Sequence, residues 1–195
     1  AAVNGGFFNK NGEPLGLLKV DGQLVSDGGA IKGAIIVGPA TSGPPSIVFD
    51  QLAARVEMSF AGDDQQHWTV PIDGVDTTRE RGKLMLYTPA YHVDTDTAPT
   101  GTEWVLDGSP LHVVAMRPGA GHSRIPPHGA VLSYGGLTLP PALAALTDDV
   151  VVSMSTTWRS TWGVAAADLD AAETIVGGAG LLRRAVKKHF QIGIF

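Results

Sequence analysis

Cysteine is absent from the 195 residues, which excludes a disulfide scaffold, a thiolate zinc site and a cysteine nucleophile. Basic residues are also few: Lys plus Arg is 14 against 19 for Asp plus Glu, a formal net charge of −5. A nucleic-acid binder usually needs a basic face to release counterions from phosphates, so no nucleic-acid partner is expected. No apolar run approaches the ~20 residues of a membrane span, so no such span is expected. A charged-then-apolar leader is missing too, and the chain opens on Ala1-Ala2-Val3-Asn4 rather than on Met. Those residues read as the inside of something already folded.

What is present is a large apolar fraction, 44 %, with 17 % charged residues, enough for a core and too apolar for disorder. The 25 glycines and 13 prolines break helix interiors, so short elements joined by turns are expected and a long helical bundle is excluded. Leu15 to Val20, the turn dipeptide Asp21-Gly22 and Gln23 to Val25 read as a hairpin. Gly33 to Val37 and Ile47 to Phe49 read as further short strands. Arg55 to Phe60 alternates, with Val56, Met58 and Phe60 on one face, the period of a half-buried strand. Trp68 to Ile72, Leu84 to Tyr87, Trp104 to Leu106, Leu111 to Met116, Ala130 to Ser133 and Val150 to Met154 continue the series.

Two stretches have helical character. Pro140 to Leu146 is rich in Ala and Leu, with prolines suited to a first turn. Leu181 to Phe190 sets apolar residues against Arg183, Arg184, Lys187 and Lys188; those cations read as a solvated face or, less often, as a polyanion-binding patch. The expected fold class is α+β and β-dominated, with mixed sheets of short strands and few helices.

Asn4-Gly5-Gly6-Phe7-Phe8 is the most unusual local sequence. It reads either as a hairpin turn whose Phe residues are buried or as a substrate-contacting loop, since glycines let a backbone approach a ligand. Asp94-Thr95-Asp96 has the spacing of a metal- or nucleotide-sugar-binding Asp-x-Asp, but in a Thr/Pro-rich loop turn chemistry is commoner. His122 and His128 match no common metal-ligand spacing and read as loop histidines. No metal and no cofactor is expected. Trp104, Trp158 and Trp162 could stack on sugars, although a core role is more frequent.

Several of these pieces together resemble one family. Asn4 to Phe8, Leu15-Gly16 and Asp21-Gly22-Gln23-Leu24-Val25-Ser26 are similar to motifs of the phosphodiester glycosidase family. That family includes N-acetylglucosamine-1-phosphodiester alpha-N-acetylglucosaminidase and bacterial proteins often labelled exopolysaccharide-biosynthesis proteins. The likeness continues through Ile72 to Val75, Arg79, Leu84 to Pro89, Thr95, Thr97, Gly101, Glu103, Ile125-Pro126, Gly129 to Ser133, Ile175 to Gly178 and Leu181-Leu182. Asp76 stands where bacterial members often have Asn. Family members have strands before the Asn-Gly-Gly-Phe-Phe motif and continue to a Leu-Asp-Gly-Gly-Gly-Ser motif that this chain does not contain. The expectation is therefore a single domain over residues 1–195, incomplete at both ends, with an exposed apolar edge near Ala1 or Phe195.

The resemblance implies a bacterial, extracellular or cell-envelope protein. It also implies a glycosidase-type hydrolase acting on a sugar-1-phosphodiester or an exopolysaccharide glycan, so the expected partner is a carbohydrate or glycosyl-phosphate. The alternative is a non-catalytic glycan-binding or scaffolding module of the same fold. Such hydrolysis passes through an oxocarbenium-like transition state and needs carboxyl groups and a phosphate clamp. Glu103 is the candidate acid, against a commoner role as a strand-edge surface carboxylate beside Trp104. Arg79 is the candidate phosphate clamp, against an ordinary solvated loop arginine. Asn4 completes the expected catalytic set, and Gly5, Gly6, Phe7, Phe8, Gly177 and Gly178 the substrate-binding set. No nucleophile is assigned.

Overall fold

A computed structural model of the chain describes residues 8–10, 12–39, 46–62 and 65–178. Along these the elements run β1 (Leu17–Val20), β2 (Gln23–Asp27), β3 (Lys32–Val37), β4 (Ile47–Ala61), β5 (His67–Pro71) and β6 (Gly74–Val75). There follow β7 (Leu84–Tyr87), β8 (Gly101–Asp107), β9 (His112–Ala120), β10 (Ala130–Tyr134), α1 (Pro141–Ala144), β11 (Val152–Ser160), α2 (Ala166–Ala171) and β12 (Thr174–Gly178). The fold is strand-dominated with few helices. The expected helix over 181–190 and the expected apolar edge at either end lie outside the described residues.

The chain divides into two compact units, Ala1–Ala54 with Thr157–Phe195, and Arg55–Thr156. In the first, β2, β1, β12, β3 and the opening of β4 pair in that order, all antiparallel. The β1–β2 hairpin turns on Asp21 and Gly22, whose φ values of 50° and 76° are what a two-residue type I′ turn requires. Leu17, Ala34, Ile36, Leu52, Leu169, Ala172 and Ile175 form the core, with Leu24, Ala54, Trp158 and Val164 packed against it. Lys19 is buried, and its ammonium donates to the carbonyls of Leu169 at 2.8 Å and Asp170 at 2.7 Å. It thereby satisfies carbonyls left open at the end of α2. Burial pushes its pKa below the usual lysine range.

Ile47 to Phe49 and Arg55 to Phe60 are one continuous strand, not two. Asp50 interrupts the apolar pattern and yet is fully buried. Its carboxylate accepts from Ser160 Oγ, from the Gln51 N–H at 2.5 Å and from the Trp162 N–H at 3.0 Å. A buried carboxylate is tolerable only when so paired, and two of its three donors lie more than a hundred residues away. The expected face, Val56, Met58 and Phe60, is buried as the alternation implies.

In the second unit the far end of β4 pairs with β5, from Glu57↔Pro71 to Ala61↔His67. A five-stranded sheet follows the order β6-β7-β10-β8-β9. The β6–β7 pair is parallel and the others are antiparallel. Trp104 is fully buried and donates its indole N–H to Leu146 O at 2.8 Å, so its place is in the core. Burying a side chain of that size stabilises the fold by about 2–3 kcal/mol. The expected helix over 140–146 is a single turn, Pro141–Ala144, entered through Pro140 and burying Leu143.

Candidate functional site

β8 runs between β10 and β9, which pair both of its edges, and its Gly101 to Trp104 segment is buried at every residue. That placement corrects the surface reading of Glu103: its side chain is 0 % exposed. Glu103 Oε1 accepts hydrogen bonds from the hydroxyls of Thr95 at 2.9 Å, Thr97 at 2.7 Å and Ser133 at 2.9 Å. Oε2 accepts the Ser123 N–H at 3.1 Å. In register, Ser133 on β10 and Arg117 on β9 flank Glu103 directly. Arg117 Nη1 donates to Ser123 Oγ at 3.0 Å, adding a second tie between β9 and the same turn.

Arg79 is likewise no solvated loop residue; its side chain is 6 % exposed and its Nη1 lies 3.8 Å from Glu103 Oε1. That nitrogen donates to Ser133 Oγ at 2.9 Å, while Nη2 donates to Ala98 O and, at 3.4 Å, to Thr100 Oγ1. Gly101 makes room for it: a Cβ there would stand 2.8 Å from Arg79 Nη1 and 2.2 Å from Tyr134 O. The guanidinium and carboxylate therefore neutralise each other inside the unit and knit β8, β10 and the 95–100 and 123 segments into one piece. A buried ion pair of this kind fixes geometry more than it adds stability, and breaking it is costly.

Thr95 and Thr97 point inward, whereas Asp94 and Asp96 between and beside them are turned to solvent, with side chains 41 % and 69 % exposed. Ser123 is buried and its neighbour His122 is 58 % exposed. Donor atoms of Asp94, Asp96 and His122 consequently converge within 4.8 Å of one another. The expected turn chemistry is also present, since the Asp96 N–H donates to Asp94 Oδ1 at 2.9 Å. His128 is not part of this group.

Asp76 follows β6, buried and at φ 50°, a left-handed position that Asn and Asp tolerate best. It accepts the Thr88 N–H at 2.7 Å and the Thr88 hydroxyl at 2.5 Å. Burial pushes its carboxyl up to about 7, with the two Thr88 hydrogen bonds pulling it partly back.

Of the other expected site residues, Phe8, Gly177 and Gly178 fall in the first unit. Asn4, Gly5, Gly6 and Phe7 lie outside the described residues. Phe8 is 55 % exposed and so does not anchor a buried turn. Gly177 lies where β12 meets the start of β1. A Cβ on Gly16 would stand 2.6 Å from Gly177 O, and one on Gly177 would stand 3.0 Å from Leu17. Close backbone packing accounts for both glycines. Gly178 pairs with Gly33 on β3. Trp158 donates to Asp170 Oδ1 at 2.6 Å, and Trp162 is 41 % exposed.

No family model and no curated protein matches the chain. Two crystal structures share its fold. A hypothetical protein from Synechocystis aligns with a TM-score of 0.65 and 20 % identity, over 91 % of this chain and 31 % of its own. A provisionally named exported protein from Burkholderia pseudomallei aligns with a TM-score of 0.67 and 20 % identity, over 90 % of this chain and 41 % of its own. The chain thus spans less than half the length of either. Among the described residues no helix is long and apolar enough to cross a membrane.

Proposed function

We propose that the chain is part of an exported glycosidase-type hydrolase that releases a sugar from a sugar-1-phosphodiester or an envelope or exopolysaccharide glycan. One observation carries this reading. Arg79, Thr95, Thr97, Gly101, Glu103 and Ser133, all among the residues that resemble the phosphodiester glycosidase family, meet in one interlocked cluster. Scattered coincidences would not be expected to converge in space. The Burkholderia neighbour's name as an exported protein supports an extracellular or envelope location.

In this reading Glu103 and Arg79 are positioning residues. Glu103 already accepts four hydrogen bonds and is closed to solvent, so it holds the loops that would border a substrate instead of protonating one. Asn4, Gly5 and Gly6 lie outside the described residues and stay the sequence's candidates for contacting a sugar or phosphate. The same burial favours a second reading, a glycan-binding module whose acid is supplied elsewhere or not at all.

The test is release of free sugar from a panel of sugar-1-phosphodiesters by the whole protein and by Asn4→Ala. Turnover that falls in the variant supports the hydrolase. Glycan binding with no turnover by the whole protein supports the module and overturns the hydrolase.

A further inference from the structure

We propose that Asp94, Asp96 and His122 form a binding site for a divalent transition-metal ion of the zinc type. The proposal does not depend on the hydrolase reading. Its basis is the way one buried group orders two separate segments from beneath. Thr95 and Thr97 hydroxyls bind Glu103 Oε1, and the Ser123 N–H binds Glu103 Oε2. The Thr95 N–H also donates to Ser123 O at 3.1 Å, and the backbones of Asp94 and Arg124 pair in an isolated antiparallel β-bridge. Each inward residue has an outward neighbour, so fixing Thr95, Thr97 and Ser123 fixes where Asp94, Asp96 and His122 project. A metal site needs that kind of support behind its ligands.

The spacing fits an ion better than a direct contact. His122 Nδ1 stands 3.7 Å from Asp94 Oδ1 and 3.8 Å from Asp96 Oδ1, beyond hydrogen-bond length. Two donors held about 2.1 Å from a shared tetrahedral centre are about 3.4 Å apart, so small side-chain adjustments would bring these three onto one ion. Two carboxylates balance a divalent charge. The imidazole selects against calcium and magnesium, which take oxygen ligands, and in favour of zinc, copper or nickel. With three protein ligands at the surface, water or an external anion would complete the shell.

Variants can be chosen that the backbone tolerates. Asp94→Asn keeps an oxygen for the Asp96 N–H. Asp96→Asn suits φ 44°, and His122→Gly suits φ 53°. Zinc is titrated calorimetrically into chelator-treated protein. The wild type is expected to bind one ion per chain, and each variant at least about tenfold more weakly. Asp148→Asn, an exposed carboxylate outside the group, should bind as the wild type does. Diethyl pyrocarbonate labelling of the wild type reads the same site without any substitution. Zinc should protect His122 and leave the exposed His128 reactive. Absence of stoichiometric binding, unchanged affinity in His122→Gly, or equal labelling of His122 with and without zinc overturns the proposal.

Discussion

Replacing Asp76 by Asn should make the protein more stable at pH 8 while changing little at pH 4. Asp76 is 2 % exposed, and its carboxyl is pushed up to about 7 from an ordinary value of 3.8. The native state therefore binds this proton more tightly than the unfolded chain does. The stabilisation that the protonated carboxyl contributes is fully present below about pH 3.8 and is lost as pH rises through about 7. At about 1.4 kcal/mol per pH unit, the difference between those two values corresponds to about 4 kcal/mol, an upper bound because the native site can relax around the charge. Asn is neutral at every pH and accepts the left-handed backbone. Its oxygen can take the Thr88 N–H, and its amide can donate to the Thr88 hydroxyl that now faces Asp76. Urea unfolding followed by tryptophan fluorescence, at pH 4, 6 and 8 for both proteins, isolates this site because all other titrations cancel in the difference. A gap that widens with pH to about 2–4 kcal/mol is expected. A gap that is constant across the range would refute the reasoning.

Three other substitutions probe the framework. Glu103→Gln removes the charge opposite Arg79 and leaves an amide that cannot serve both the three hydroxyls and the Ser123 N–H as an acceptor; a loss of about 3–5 kcal/mol in urea unfolding is expected. Gly16→Ala places a Cβ 2.6 Å from Gly177 O, and the forced separation of β1 from β12 should cost about 1–3 kcal/mol, read as a lowered Tm. Lys19→Met takes the donor from the carbonyls that end α2, and about 1–3 kcal/mol should be lost at neutral pH.

The sequence exposed those parts of the fold whose causes are local. Asp21-Gly22 announced its hairpin because the turn itself demands two positive φ values. The alternation of Val56, Met58 and Phe60 announced a half-buried strand. The full length of β4 was hidden, because Asp50 looks like a break until Ser160 and the Trp162 N–H satisfy it. Helix α2 was hidden for a similar reason: it is short, buries only Leu169, and takes its final hydrogen bonds from Lys19 on a distant strand. Glu103 is the clearest case at the candidate site. A glutamate beside a tryptophan reads as a surface carboxylate until donors from four separate positions are folded around it. The in-out alternation of Asp94 to Thr97 was the signal that could have revealed it. His122, whose imidazole approaches Asp94 and Asp96, lies too far along the chain for any ligand spacing to register.

The hydrolase reading makes a specific chemical claim, that the bond broken joins the sugar's anomeric carbon to the phosphate oxygen. Turnover of a sugar-1-phosphodiester in ¹⁸O-labelled water tests it directly. Attack at the anomeric carbon leaves the phosphate product unlabelled, which is the predicted result. Label in the phosphate, or no sugar release at all, would contradict it.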